Sequence, residues 1–274
     1  MLPFRFLIPL ALLSLVAAPA HSTILAQAAV RTTVSGGTFT PLCEDGGLGE
    51  TSADVSCADG TNSGHGSASA DYGSLGIYAK LYSGSAISDN DDYQAYGWAR
   101  FSDEITLLPG LIDAGEWTDA RVVFNISGQV DEVDAPTWME FGDMFIPWEF
   151  TVTVGGLELQ PSNGAVGLGK DSYYDFDITP GTALSFSAEL IGDVRCFGCD
   201  VDYEGILDLS HTASLLVVQV KDPASGLYLD PGDFTITSGE GASYANVVPE
   251  PGTGALLGVG LVGLAVAGRR PRHA

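Results

Sequence analysis

The most specific chemistry-bearing spacing in this 274-residue chain belongs to its cysteines. Cys43 and Cys57 bracket a Gly/Asp-rich stretch, and Cys196-Phe197-Gly198-Cys199 is a tight C-x-x-C. Four cysteines allow three disulfide pairings, of which the simplest is local, Cys43 with Cys57 and Cys196 with Cys199. A thioredoxin-like redox centre wants its first thiolate at a helix N-terminus. Cys196 instead follows a strand-like run, residues 183–194, and precedes another, residues 201–209, so the motif is expected in a hairpin loop. A four-cysteine zinc site needs all the thiols together and reduced, which an oxidising compartment opposes. Structural disulfides are the expectation, ahead of zinc or redox chemistry.

Hydrolysis has less to stand on. A Ser or Cys nucleophile needs a base within hydrogen-bond reach, and the histidines between residues 31 and 248 are His65 and His211, neither in a recognisable catalytic setting. His65 lies in Asn62-Ser63-Gly64-His65-Gly66-Ser67, which reads as a flexible loop, and the sequence contains neither G-x-S-x-G nor H-E-x-x-H. A glycosidase needs two carboxyl groups facing across a cleft. Among 35 acidic residues some pair always has a suitable spacing, so abundance discriminates nothing. Glu140, Asp143 and Glu149, in an aromatic-rich segment, are where such a pair would be sought first. No catalytic residue is assigned, and a non-enzymatic protein is expected.

Binding chemistry has two candidates. Hard oxygen ligands clustered in a loop suit Ca²⁺, and Asp89, Asp91 and Asp92 supply them in Ser88-Asp89-Asn90-Asp91-Asp92, as do Asp171, Asp175 and Asp177 further on. Neither stretch matches the EF-hand loop. The first also reads as an Asx-rich turn, and the second as a strand whose acids face solvent. Calcium on Asp89, Asp91 and Asp92 is thus the one cofactor expectation. The second candidate is aromatic: Tyr78 and Tyr82 on one strand and Tyr96 and Trp98 on its expected partner would set four rings side by side for stacking on sugars. The competing reading packs those rings beneath a second sheet.

The elements that must position these residues are strands. Period-2 alternation recurs between the two ends of the chain, without a long amphipathic helix. Leu75, Ile77, Ala79 and Leu81 share one face of residues 71–82, with Tyr78, Lys80 and Tyr82 on the other. Tyr93, Ala95, Gly97, Ala99 and Phe101 oppose Gln94, Tyr96, Trp98 and Arg100 in residues 93–105. These two runs are expected to form a hairpin across the turn at residues 88–92. Further strands are expected at 120–130, 139–154, 172–178, 183–194, 201–209, 212–221 and 234–238, punctuated by Pro109-Gly110, Pro180-Gly181 and Pro231-Gly232. Many short strands without intervening helices point to an all-β fold, an antiparallel, jelly-roll-like β-sandwich over residues 31–238, followed by a linker at 239–248.

Both ends read as targeting segments. Arg5 and the apolar residues 6–18 form the n- and h-regions of a secretory signal peptide. Ala18-Pro19-Ala20 and Ala26-Gln27-Ala28 offer cleavage after residue 20 or 28, so the signal occupies at most residues 1–28. At the other end, Pro249-Glu250-Pro251 precedes an uncharged apolar run, residues 252–268, and a basic end, residues 269–274, with Arg269, Arg270 and Arg272. The prolines withhold donors and keep the motif extended and reachable. As a helix at about 1.5 Å per residue the run covers most of a roughly 30 Å hydrocarbon core. The arginines then act as stop-transfer charge, leaving everything before Pro249 on the exported side.

This ordered tail resembles the PEP-CTERM sorting tail of exported bacterial proteins. The resemblance implies that exosortase, a membrane transpeptidase, is a partner, with Pro249, Glu250 and Pro251 as the recognised motif. It also implies a membrane-anchored intermediate in a Gram-negative bacterium that ends at the cell surface or outside the cell. The extracellular polysaccharide matrix is the further partner expected from it. Charge sets the remaining bounds. The formal charge is −24, and four of the 11 basic residues, Arg5, Arg269, Arg270 and Arg272, lie in the targeting segments, so the exported region is strongly acidic. Nucleic acid and acidic lipid are repelled by such a surface. The function expected is a non-enzymatic structural or matrix role associated with exopolysaccharide; the alternative is a lectin-like carbohydrate-binding sandwich that uses calcium.

Overall fold

The computed structural model describes residues 22–33, 40–84, 92–109, 112–113, 115–133, 143–164, 166–199, 202–229, 233–239 and 244. They contain strands and no helix. In chain order these are β1 (Thr23–Thr33), β2 (Thr40–Leu48), β3 (Ser52–Asp59), β4 (Asn62–Asp71), β5 (Ser74–Ser83), β6 (Asp92–Leu107), β7 (Thr118–Ile126) and β8 (Gln129–Val133). There follow β9 (Asp143–Phe145), β10 (Trp148–Val154), β11 (Leu157–Leu159), β12 (Lys170–Ile178), β13 (Ala183–Phe197), β14 (Tyr203–Val220) and β15 (Ile236–Ser238). Two antiparallel sheets result. The first has the order β11-β10-β13-β6-β1-β2, with β9 added to β13 and β15 to β6; the second has the order β12-β7-β14-β5-β4-β3, with β8 added to β14.

Alternation decides which side of each strand is core. Leu75, Ile77, Ala79 and Leu81 of β5 and Ala95, Ala99, Phe101, Ile105 and Leu107 of β6 are all buried between the sheets, while Tyr78, Lys80, Tyr82, Tyr96, Trp98 and Arg100 face out. It does not decide neighbours. β5 pairs with β4 and β14, and β6 with β1 and β13, so the expected hairpin of these two strands does not form. The chain between them crosses from one sheet to the other, and two strands with apolar inner faces satisfy each other equally well across the core as along a ladder. The same correction applies to the C-x-x-C. It lies where β13 of the first sheet hands over to β14 of the second, an inter-sheet crossover rather than a hairpin loop.

Residues 201–209 and 212–221, read as two strands, are one. β14 continues through them and absorbs the break as a register shift between Leu209 and Ala213. Conversely, residues 139–154 divide into β9 and β10, both paired with β13, on either side of Ile146 and Pro147. Proline withholds a ladder donor, and its carbonyl instead accepts from the Asp193 amide.

The core has two textures. Toward β7, β10, β12 and β13 it is aromatic: Phe101, Phe124, Phe150, Tyr174 and Phe186 are buried, with ring centroids 4.9 Å apart for Phe124–Phe150 and 5.5 Å for Phe101–Phe186. Toward β1–β4 it is made of glycine and alanine, and the sheets approach to backbone contact. A Cβ on Gly66 would lie 2.5 Å from the Tyr96 carbonyl oxygen, and one on Gly97 would lie 2.7 Å from that of Ser67. His65 belongs to this region. It sits within β4 between Ser56 of β3 and Lys80 of β5, so the expected flexible loop is a strand.

The domain also extends past both bounds read for it. β1 starts at Thr23, and Tyr244, within the stretch read as linker, is buried in the core against Phe186 at 5.8 Å.

Candidate functional site

The chain leaves the sandwich along β6. β15 pairs with Leu107, Thr106 and Ile105, and the Gly239 amide then donates to the Glu104 carbonyl at 2.8 Å. Beside this exit Asp103, only 3% exposed, points inward from β6. Its Oδ1 accepts from the Ser22 hydroxyl at 2.8 Å and the Glu104 amide at 2.7 Å, and its Oδ2 from the Tyr244 hydroxyl at 2.7 Å and from Ser238. Burial pushes the Asp103 carboxyl up, but the bonds from Ser238, Tyr244, Ser22 and Glu104 together outweigh it and hold it below its ordinary value. Burial, with the Asp103 bond, raises the Tyr244 phenol. One ionised carboxylate thus ties Ser22, at the start of the described residues, to Ser238 and Tyr244 at their end.

Four residues separate Tyr244 from Pro249. Pro249, Glu250, Pro251, Arg269, Arg270 and Arg272 themselves lie outside the described residues. Among the described residues no helix is long and apolar enough to cross a membrane.

Two outer surfaces are candidates for ligands. On the second sheet, Arg121 of β7 forks onto Asp175 of β12, Nε to Oδ1 at 2.6 Å and Nη2 to Oδ2 at 3.2 Å. The guanidinium lies over two rings, 5.1 Å from Tyr173 and 4.6 Å from Tyr228. Lys221 pairs with Asp119 at 2.8 Å alongside. Arg121, Asp175, Asp177, Tyr228, Lys221 and Asp119 line an open cleft of about 670 Å³. The Arg121 bond holds the Asp175 carboxyl below its ordinary value against a smaller effect of burial, and Asp175 in turn raises the guanidinium. Asp171 accepts from the Asn125 amide at 2.8 Å. The acids of this strand therefore face outward, and two of them are already engaged by protein donors.

On the first sheet the outer face carries Asp92, Gln94, Asp193 and Arg195, adjacent across the β6–β13 ladder. Asp92, Gln94 and Asp193 are at most 4% exposed. Asp193 accepts from Gln94 Nε2 and from Arg195 Nε, the latter at 2.5 Å. Among the described residues Asp92 Oδ1, Gln94 Oε1 and Asp193 Oδ1 have no hydrogen-bond partner. Burial pushes the Asp92 carboxyl up to about 6, with Arg195 lowering and Asp193 raising it. Of the expected calcium ligands Asp92 is here, and Asp89 and Asp91 lie outside the described residues. Among the described residues no group of three His, Cys, Asp or Glu side chains is placed to hold a metal.

The four-ring platform is dispersed. Tyr78 and Tyr82 face out from the second sheet and Tyr96 and Trp98 from the first, on opposite sides of the sandwich. Tyr78 packs on His65 at 5.1 Å, Tyr82 donates to Asp202 at 2.8 Å, and Tyr96 lies beneath the Arg31 guanidinium at 4.9 Å. His65 bonds Asp54 at 3.1 Å. Glu140 lies outside the described residues, and Asp143 and Glu149 fall on β9 and β10.

The cysteines form two disulfides, Cys43–Cys57 and Cys196–Cys199. The first joins β2 to β3, the edge strands of different sheets, so it staples the sandwich shut where the core is thinnest in apolar bulk. The second closes the crossover between β13 and β14, and both of its cysteines are fully buried.

The decisive comparison concerns the tail. A family model described as the PEP-CTERM protein-sorting motif matches residues 247–270. The C-terminal tail is a PEP-CTERM sorting motif. Such a motif implies recognition by exosortase and, with it, export, anchoring in the membrane and cleavage. No curated protein and no solved structure matches the chain. The motif was legible because three ordered features coincide within it. The Arg121 cleft was not, because Asp175 lies 54 residues from Arg121 and nothing in either local sequence announces the other.

Proposed function

We propose that this is a bacterial surface or extracellular-matrix protein of a Gram-negative cell, in which a jelly-roll-like sandwich is delivered by the PEP-CTERM tail and serves a non-enzymatic role in the exopolysaccharide matrix. The observation that carries the reading is the motif match at residues 247–270, directly after a disulfide-bearing all-β domain. Disulfides persist in oxidising compartments, in keeping with delivery outside the cytoplasm. Pro249, Glu250 and Pro251 are the sorting motif, residues 252–268 the membrane helix, and Arg269, Arg270 and Arg272 the stop-transfer charge. Pro249→Ala combined with Pro251→Ala is expected to leave export intact and trap the protein in the inner membrane, as measured by cell fractionation. Free release of the double variant would remove the sorting role.

A second reading is favoured by the Arg121 cleft, where the Tyr228 ring, three carboxylates, the Arg121 guanidinium and the Lys221 amine surround an open concavity of the sort that binds sugar hydroxyls. In it the domain is a lectin, with calcium taken by Asp89, Asp91 and Asp92. A glycan array run with and without chelator separates the two readings. Binding lost on chelation supports the calcium-dependent lectin, and no binding in either condition removes it.

A further inference from the structure

We infer that the signal peptide is removed after Ala20, leaving His21 as the first residue of the exported domain. The inference rests on the export reading above and selects between two A-x-A sequences, Ala18-Pro19-Ala20 and Ala26-Gln27-Ala28, that are equivalent by residue type.

The second of these sequences lies inside the fold. β1 is an interior strand, hydrogen-bonded to β6 on one side, from Thr23↔Ser102 to Thr33↔Asp92, and to β2 on the other, from Leu25↔Leu48 to Thr32↔Thr40. Ala26 and Ala28 are fully buried between the sheets. The Gly49 amide donates to the Ile24 carbonyl at 2.6 Å, Thr23 Oγ1 and Ser102 Oγ lie 2.6 Å apart, and Ser22 Oγ donates to the buried carboxylate of Asp103. Every ordered residue from Ser22 to Ala28 is therefore bonded or buried as part of the domain. Cleavage after Ala28 would strip the partners from Gly97 to Ser102 of β6 on one side and from Asp45 to Leu48 of β2 on the other. It would open two rows of backbone donors and acceptors in the middle of a sheet, where unpaired groups are costly. It would also take one donor from Asp103, the residue that ties down Tyr244. Cleavage after Ala20 costs none of these contacts. Once β1 has paired, the Ala28 bond is inaccessible to any peptidase.

N-terminal sequencing of the protein recovered from the native cell tests this without reference to any variant's folding. The expected read is His21-Ser22-Thr23-Ile24, and any other first residue overturns the inference. A start at Ala29 would overturn it while leaving export standing, whereas a retained Met1 would remove the export reading as well. An Ala20→Lys variant supplies the second arm, because a bulky charge is excluded next to the scissile bond. Uncleaved precursor is expected to accumulate. A variant that instead starts at Ala29 and is recovered folded at wild-type yield would show residues 23–28 to be dispensable, and the inference would fall.

Discussion

The two halves of the core solve the same problem by opposite means. Around β7, β10, β12 and β13 the sheets are held apart and filled by large rings, with Phe124 touching Phe150, Tyr174 and Phe186. Around β1–β4 they close until backbone meets backbone, Gly66 against Tyr96 and Gly97 against Ser67. Apolar burial stabilises roughly in proportion to area, about 25 cal/mol per Å², so the ring-filled half holds itself together while the thin half gains little from burial. The thin half is where Cys43–Cys57 crosses between the sheets. A covalent staple stands in for missing apolar bulk, an arrangement open to an exported protein and denied to most cytoplasmic ones.

That contrast can be broken at either side. The largest effect is expected from Phe124→Ala, which should cost about 3–5 kcal/mol in urea unfolding of the disulfide-intact domain. A loss below about 1 kcal/mol would mean that the rings do not carry the aromatic half. Cys43→Ser with Cys57→Ser should cost about 3 kcal/mol, since the pair closes a loop with a sequence separation of 14. Retained stability in that variant would show that close backbone packing suffices by itself. Gly66→Ala should cost about 1–3 kcal/mol, because the obstructing atom is a carbonyl oxygen in a paired strand and cannot turn away. Calorimetry on this variant and on an alanine-to-glycine control elsewhere would separate overpacking from backbone entropy.

The smallest effect is electrostatic and has a sign that can be read in advance. Asp92 has its folded value raised to about 6 by burial, above the ordinary carboxylate value. Its contribution to stability is therefore fully present below about pH 4 and lost as pH rises through about 6. Asp92→Asn should raise stability at pH 7 by about 1–3 kcal/mol and should flatten the pH profile between about 4 and 6. Asp103 runs the other way. Its lowered value makes its contribution present at neutral pH and lost only as acid titrates the folded carboxyl below the ordinary range. If Asp92 ligates calcium, the Asn substitution would lower stability in calcium and raise it in chelator, so the same variant measured in both media also tests the metal.

What could be read from sequence, and what could not, follows the same division. The parity of β5 and β6 was legible because Leu75, Ile77, Ala79 and Leu81 stand against tyrosines and lysine at strict period 2. β4 was not, because its inward residues are Gly64, Gly66, Ala68 and Ala70, which carry no hydrophobic signal and work by being small. The partner of each strand was also hidden. β5 and β6 are close enough in sequence for a hairpin yet belong to different sheets, and only the competition of β13 and β14 for those ladders decides it. Tyr244 was misplaced in a linker because one aromatic among Gly, Ala and Ser looks like a solvated tail until Asp103 and Phe186 are set beside it. The sorting motif needed no tertiary information, since its features follow one another in the sequence.

The PEP-CTERM motif implies a tail that is cleaved after delivery, and intact mass spectrometry of the protein from native cell surface and medium reads that cleavage. The expected mass lacks residues 252–274, with any excess reporting an attached acceptor. A mass that still contains the apolar run and its terminal arginines would contradict it and make the tail a permanent anchor.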